Sequence, residues 1–466
     1  MERLCFGLIV GNRGFFPDHL CKKGREEIIK FLEKKNIEVI CLSEEESKFG
    51  TVETYQDAKR CAWLFKKNKE KISGILVTLP NFGDEKGVAE AIRLSELNVP
   101  VLIHAWPDDM EKMDIENRRD SFCGKISVCN NLYQYGIKFT LTSLHTEPVN
   151  SQVFSEDIDE FIKICRIVRG LKNLKVGAIG TRPNAFKTMR YSEKILEKYG
   201  IGMEVIDMSE ILAEAEKISD EEADKERNFI TNYVDTKDIP QDSLLKMAKL
   251  KIVVERWVKE NEIKAIAFQC WPSIQQNYGI MACSVLSIFS NNSIPAACEV
   301  DVTGALSMYI LQLASSKPSA IVDWNNNYKD EENKLVFFHC SNFPLNFFEK
   351  AKMYYGEIIA NAVGKENSYG TIYGRIKPGP FTYLRLTTDE NSGEIKGYTG
   401  EGKITEDQID TFGGYGVAEI PNLQRLLKYI CENGFEHHVC INLSNVSRAI
   451  KEALEKYKNW QIYLHS

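Results

Sequence analysis

The first 170 residues switch repeatedly between short apolar runs and segments of helical periodicity. The runs Leu4–Val10, Val39–Leu42, Gly74–Leu79 and Val101–His104 have the length of buried strands. Between them, Glu26–Lys35 carries Ile28, Ile29, Phe31 and Leu32 at helical spacing, and Tyr55–Asn68 and Ala89–Leu97 also read as helices. Strands alternating with helices predict a parallel sheet with helices on both faces. A loop, Gly11–Pro17, follows the first strand and carries Arg13.

A second alternating series starts at Lys175. Strands are expected at Val176–Ile179, Met203–Ile206 and Ala265–Gln269, and helices at Ala185–Tyr199 and Leu244–Asn261. The charged stretch Glu210–Lys237 also reads as helix. From about Lys334 the character changes. Runs rich in β-branched and aromatic residues, Val336–His339, Gly370–Ile376, Pro380–Thr387 and Glu394–Tyr398, are separated by Gly/Pro turns. That pattern predicts antiparallel β structure of a small-barrel kind. Helices at Asn422–Asn433 and Val446–Tyr457 close the chain. The expected fold class is α/β, with an N-terminal α/β domain over 1–170, a central α/β domain over 171–325 and a β-rich domain over 326–466.

Composition narrows the function. The 466 residues exceed one compact core, and domain-size priors give about two to four domains. With 43% hydrophobic and 27% charged residues the chain is ordinary globular protein. A net charge of -7, with no Lys/Arg stripe, argues against nucleic acid as partner. No apolar run approaches the roughly 20 residues of a membrane span. Leu4–Val10 is followed by Gly11, Asn12 and Arg13 instead of a small-residue cleavage site, so no signal peptide is read and the cytoplasm is the expected location. The thirteen cysteines are odd in number and form no CxxC. Cys5, Cys41, Cys270 and Cys440 sit in apolar settings, which predicts buried reduced thiols rather than a disulfide framework.

Candidate chemistry lies where polar groups interrupt apolar runs. Histidine is scarce, seven in all, yet His437 and His438 are adjacent and open a strand, Val439–Leu443. Adjacent strand residues point to opposite faces, so one is expected to be a ligand and the other to pack or orient it; two surface histidines are the rival reading. Glu299 ends the run from Ile294 and precedes Asp301, with a helix opening at Thr303–Gly304–Ala305. A carboxylate at the C-terminal end of a parallel strand sits where α/β folds place ligands, and burying it unpaired costs several kcal/mol. Asp323 ends the run Ala320–Val322, where a cap or Asx turn is the rival. His339 ends Phe337–Phe338, with a core histidine as its rival. Two carboxylates with one or two imidazoles suit Mn2+, Mg2+ or Co2+ better than structural zinc. Cys298 and Cys340, beside these residues, alternate away and read as core.

At these positions the sequence resembles the L-fucose isomerase / L-arabinose isomerase family. The matching segments, in order, are Phe268–Gln269–Cys270–Trp271–Pro272, Ala297–Cys298–Glu299–Val300–Asp301 with Gly304–Ala305, Val322–Asp323–Trp324–Asn325, Phe338–His339–Cys340 and Gly434–Phe435–Glu436–His437–His438. The chain is shorter than typical fucose isomerases and so resembles a fucose-isomerase-like relative. The resemblance implies two Rossmann-like parallel α/β domains, then a β-rich barrel-like domain. It also implies a divalent metal, usually manganese, and a homo-oligomer, commonly a hexamer. It carries the metal-bound carboxylates onto Glu299 and Asp323 and the metal-bound histidine onto His438 in preference to His437. His339 matches a further ligand of the arabinose branch, which has Glu where this chain has Asp323, so His339 is either ligand or support.

That resemblance implies an aldose–ketose isomerase working on a free sugar through an enediolate. Glu299 and Asp323 would form the acid/base pair, and Asp301 would orient a ligand or a water. Gln269 and Trp271 are candidates for sugar recognition. The loop of Arg13 would reach an active site, its own or a neighbouring subunit's, and an arginine there also suits an anionic sugar; an exposed loop charge is the rival. Thr181–Arg182–Pro183 with Phe186 resembles a phosphate-loop turn but lacks GxGxxG, so no nucleotide is expected. The competing functions are a non-catalytic sugar-binding protein and a metal-dependent aldolase or dehydratase.

Overall fold

In the computed structural model, which describes residues 4–466, the apolar runs of the first unit (Met1–Arg169 with Lys456–Lys458) become a five-stranded parallel sheet. Its strands are β1 (Cys5–Val10), β2 (Glu38–Ile40), β3 (Ile72–Leu79), β4 (Val101–Ala105) and β5 (Thr140–Leu141), in the order β2-β1-β3-β4-β5. Every residue of β1 and β3 is buried, as a parallel sheet covered on both faces requires. Ile9 and Val77 pack with Phe65 on one face, and Leu8 and Leu76 with Ile28 and Phe161 on the other. The helix expected at Glu26–Lys35 starts earlier, at His19, and helices Ser121–Gln134 and Gln152–Gly170 were not expected from the pattern.

This unit buries the carboxylate of Glu147. Both side-chain oxygens of Glu147 lack a hydrogen-bond partner, while its backbone carbonyl accepts from His104 Nε2 at 2.8 Å. Burial, with Asp157 beside it, pushes Glu147 up to about 7. A raised carboxyl favours the fold at low pH and loses that contribution as pH rises through the folded value. Glu147→Gln is therefore expected to raise the thermal midpoint at pH 8 by roughly 2–4 °C and to change it less near pH 5. Equal shifts at both pH values would show that charge is not the cause.

The second unit (Gly170–Glu455 with Asn459–Ser466) carries two sheets. The smaller has four parallel strands, β6 (Leu174–Ile179), β7 (Ile201–Ile206), β8 (Ala265–Phe268) and β9 (Ala296–Ala297), ordered β7-β6-β8-β9. The helix expected over Ala185–Tyr199 is only Glu193–Lys198, preceded by a 3-10 turn at Lys187–Met189. Ser192 caps that helix by accepting from Ile195 N, which sets its start. The charged stretch is two helices, Met208–Lys217 and Asp220–Tyr233, because Ser219 caps a new one.

The larger sheet has nine strands: β10 (Ala320–Asn327), β11 (Lys334–His339), β12 (Phe348–Tyr355), β13 (Tyr369–Ile376), β14 (Gly379–Asp389), β15 (Glu394–Ile404), β16 (Gly414–Glu419), β17 (His438–Asn442) and β18 (Gln461–Leu464). Their order is β12-β13-β16-β11-β10-β17-β14-β15-β18, and β15 also pairs β16. The sheet is mixed: most pairs are antiparallel, but β13–β16 and β15–β18 are parallel. The molecule is therefore mixed α/β, with two parallel sheets and one large mixed sheet. No helix among the described residues is long and apolar enough to cross a membrane. All thirteen cysteines are free thiols.

Candidate metal centre

Three neighbouring strands of the large sheet, β11-β10-β17, bring together residues far apart in the chain. Asp323 of β10 stands directly opposite His438 of β17, and on its other side opposite Phe338, the neighbour of His339 in β11. Asp323 does not end its strand, as the apolar run implied; β10 continues to Asn327. Trp324 holds the continuation by donating to Tyr398 Oη at 2.8 Å, and its amide donates to His437 O.

Glu299 arrives from the smaller sheet, two residues beyond β9. It and Val300 both adopt left-handed backbone, at φ 54 and 55. That conformation costs a non-glycine residue roughly 1–3 kcal/mol, and more readily so for β-branched valine. The turn is held by Val300 N donating to Phe268 O and Asp301 N to Cys298 O. It aims the Glu299 side chain at the three strands. Asp301 then caps the helix Val302–Ser315 by accepting from Gly304 N at 2.8 Å. A Cβ at position 304 would stand 2.5 Å from Asp301 Oδ2, so only glycine admits this approach.

The geometry centres on His438. Its Nε2 lies 3.6 Å from Glu299 Oε2 and 3.4 Å from Asp323 Oδ1. Neither oxygen has a hydrogen-bond partner although both are buried. His438 Nδ1 is 2.9 Å from Asp301 Oδ2, a carboxylate that accepts from it, and this contact turns Nε2 toward the other two carboxylates. Two donors bound to one ion at about 2.1 Å stand roughly 3.0–3.5 Å apart, so these spacings fit a divalent cation. Glu299, His339 and His438 form one compact donor group, and Asp323, His437 and His438 another; His438 belongs to both.

His339 and His437 are placed differently from each other. His339 is buried, with Nε2 3.7 Å from Glu299 Oε2. His437 is half exposed and reaches Asp323 Oδ1 at 3.8 Å. The expectation that the paired histidines could not face one site fails here. His437 precedes the first residue of β17, so strand alternation does not yet govern it. Burial alone would push the Glu299 carboxyl up, but His339 and His438 hold it down to about 2.

Behind His438 lies a charge network that the sequence did not reveal. Arg385, on β14 and fully buried, donates to both oxygens of Asp301, at 2.5 and 3.1 Å, and to Glu436 Oε2 at 3.0 Å. Thr387 donates to the other Glu436 oxygen at 2.6 Å. Despite burial, Arg385 and His438 hold Asp301 far below the ordinary carboxylate range. Asp301→Asn removes the charge and one of the two acceptor oxygens facing His438 and Arg385, and the affinity for a divalent cation is expected to fall about 10–100-fold. Calorimetric titration with Mn2+ measures it; an unchanged affinity would separate Asp301 from cation binding at His438.

Among the residues proposed for sugar recognition, Trp271 donates to Glu299 Oε1 at 3.2 Å, and Gln269 Oε1 accepts from Thr181 N at 3.1 Å. Phe186 packs edge-on against Trp271 and also meets the His437 ring, so the loop once read as helix forms part of the site's wall. Arg13 belongs to the first unit. It pairs with Glu85, donates to Gly83 O and lies over the Phe82 ring. Cys298 is buried as expected, but with Cys270 it lies against Glu299 rather than in a purely apolar core.

Comparison with known families now applies to this geometry. Residues 7–172 match the family described as fucose/sulfoquinovose isomerase, N-terminal domain, and residues 337–465 match L-fucose isomerase, C-terminal domain. The chain belongs to the L-fucose isomerase-like family. Three relatives are each named sulfoquinovose isomerase. That of Alkalicoccus urumqiensis is 25% identical over 302 residues, covering 64% of this chain and 66% of its own length. That of Priestia aryabhattai is 23% identical over 273 residues, covering 58% and 59%. That of Clostridium sp. (strain MSTE9) is 30% identical over 185 residues, covering 39% and 41%. The chain thus spans less than two thirds of the length of the relatives it matches. Within this family, the C-terminal match contains His339, Arg385, Glu436, His437 and His438, whereas Glu299 and Asp323 lie between the two matched segments.

Proposed function

We propose that the protein is a divalent-metal-dependent aldose–ketose isomerase that works through an enediolate, with sulfoquinovose as its sugar. The observation that carries this reading is the pair of buried, unpartnered carboxylate oxygens flanking His438 Nε2. Glu299, Asp323 and His438 would hold the cation, Mn2+ by preference for oxygen and imidazole donors, with His339 and His437 as adjoining imidazoles. When bound, such a cation polarises a carbonyl and stabilises charge on the adjacent oxygens. Glu299, from the turn after β9, and Asp323, from β10, are the two groups able to move a proton between C1 and C2. Asp301, held by Arg385, orients His438. The names of the relatives support sulfoquinovose over fucose.

The test is conversion of sulfoquinovose, L-fucose and L-arabinose with Mn2+ in heavy water, followed by NMR. Proton transfer through an enediolate places deuterium at C1 of the ketose, and EDTA stops the reaction. Fragments would mean aldol cleavage, loss of a hydroxyl would mean dehydration, and binding without conversion would mean a sugar-binding protein. Each of these outcomes would replace the isomerase reading.

A further inference from the structure

Glu299 turns its two oxygens toward different chemistries. Oε2 faces the imidazoles of His339 and His438 and has no hydrogen-bond partner. Oε1 accepts from the Cys270 thiol, with Sγ 3.4 Å away. Cys270 Sγ, Cys298 Sγ and a Glu299 oxygen all lie within 4.8 Å of one another, and all three residues are buried. Cys283, at the start of the helix Cys283–Asn291, is buried and interacts electrostatically with Cys298 and Cys340. Proton transfer between two sugar carbons needs no thiol, so the isomerase reading leaves this cluster unused.

We propose that Cys270, Cys298 and Glu299 Oε1 form a second cation site, selective for a thiophilic divalent ion such as Zn2+ or Cd2+, with Cys283 as an available further sulfur. Thiolate sulfur sits about 2.3 Å from zinc, which puts two sulfurs of a tetrahedral site roughly 3.8 Å apart. The observed cluster therefore needs closure of no more than about 1 Å to reach that spacing. Each cysteine gives its proton to solvent as it binds, two protons per ion, and nothing is oxidised or reduced. Mn2+ and Mg2+ favour oxygen and imidazole and stay on the Oε2 side of Glu299; soft ions favour the sulfurs. The carboxylate is common to both sites, so a soft ion bound at Oε1 draws it from the hard site. That inhibitory consequence rests on the isomerase reading; the binding does not.

The experiment uses the full chain with the exposed thiols removed (Cys123→Ser and Cys431→Ser), stripped of metal and titrated with Cd2+ in excess Mg2+. A thiolate-to-cadmium charge-transfer band saturating at one ion per chain is expected, and the further change Cys270→Ser with Cys298→Ser should abolish it. No band in the parent, or an equal band in the variant, overturns the site. In the Mn2+-loaded parent, one equivalent of Cd2+ is expected to lower turnover about 100-fold or more, the scale of losing one acid–base group. Cys298→Ser, compared with its own rate before addition, should resist. Equal inhibition of both places the ion only among the histidines and overturns the proposal. If no sugar is turned over at all, the isomerase reading fails while the absorption band still decides whether the site exists.

Discussion

Glu299→Gln is expected to lower kcat by about 10³-fold or more while the protein folds normally. Glutamine keeps the volume and the hydrogen-bonding length of the side chain, so the left-handed turn at residues 299 and 300 has no reason to move. What disappears is a carboxylate that His339 and His438 keep ionised at about 2. Removing one acid–base group typically costs 10²–10⁴-fold, and the same change deletes a proposed ligand, so both losses act together. Affinity for Mn2+ should fall as well. Because two imidazoles hold this carboxyl below its ordinary value, its charge favours the fold at neutral pH, and the thermal midpoint should fall modestly. Activity within tenfold of the parent on the true substrate would remove Glu299 from the chemistry. A collapsed midpoint would assign it a structural role instead.

The largest stability effect is expected at Arg385. Its guanidinium is fully buried and is shared between Asp301 and Glu436. Arg385→Met retains the aliphatic stem but takes from the buried carboxylates of Asp301 and Glu436 the guanidinium they share. Breaking a buried ion pair from one side costs about 3–5 kcal/mol, which at roughly 2–4 °C per kcal/mol lowers the midpoint by about 10 °C. Without Arg385 beside it, Asp301 would take up a proton more readily, so the loss should shrink as pH falls. Arg385→Lys restores the charge but not the forked contact with Asp301, and should recover part of the stability and less of the Mn2+ affinity. A midpoint within a degree or two of the parent would show that the network does not carry the load assigned to it.

Much of this site was legible as residue types at interruptions of apolar runs. Glu299, Asp323, His339 and His438 each break a hydrophobic stretch, and a buried polar residue is the informative exception in any sequence. Arg385 breaks one too, in Tyr383–Leu384–Arg385–Leu386. It escaped notice because an arginine at alternating spacing in an antiparallel strand ordinarily faces water. Both faces of β14 are covered there, which no local pattern records. Glu436, beside the histidine pair, was equally silent until its partner across the sheet was known. The apolar spacing around Phe186 reads as helix, but the segment is a loop whose packing against Trp271 and His437 depends on residues far along the chain.

The sequence by itself determined the principal strands of the two parallel sheets and which carboxylates and imidazoles interrupt apolar runs. Those follow from periodicity, charge and chemistry, which act between near neighbours. Only the tertiary structure decided that Asp323 and His438 face each other across β10 and β17, and that His437 shares their carboxylate. It also decided that Glu299 stands between imidazoles and thiols. Register and sheet order join residues through hydrogen bonds between distant strands, and a slip of one residue in β10 or β17 would turn Asp323 or His438 away from the site.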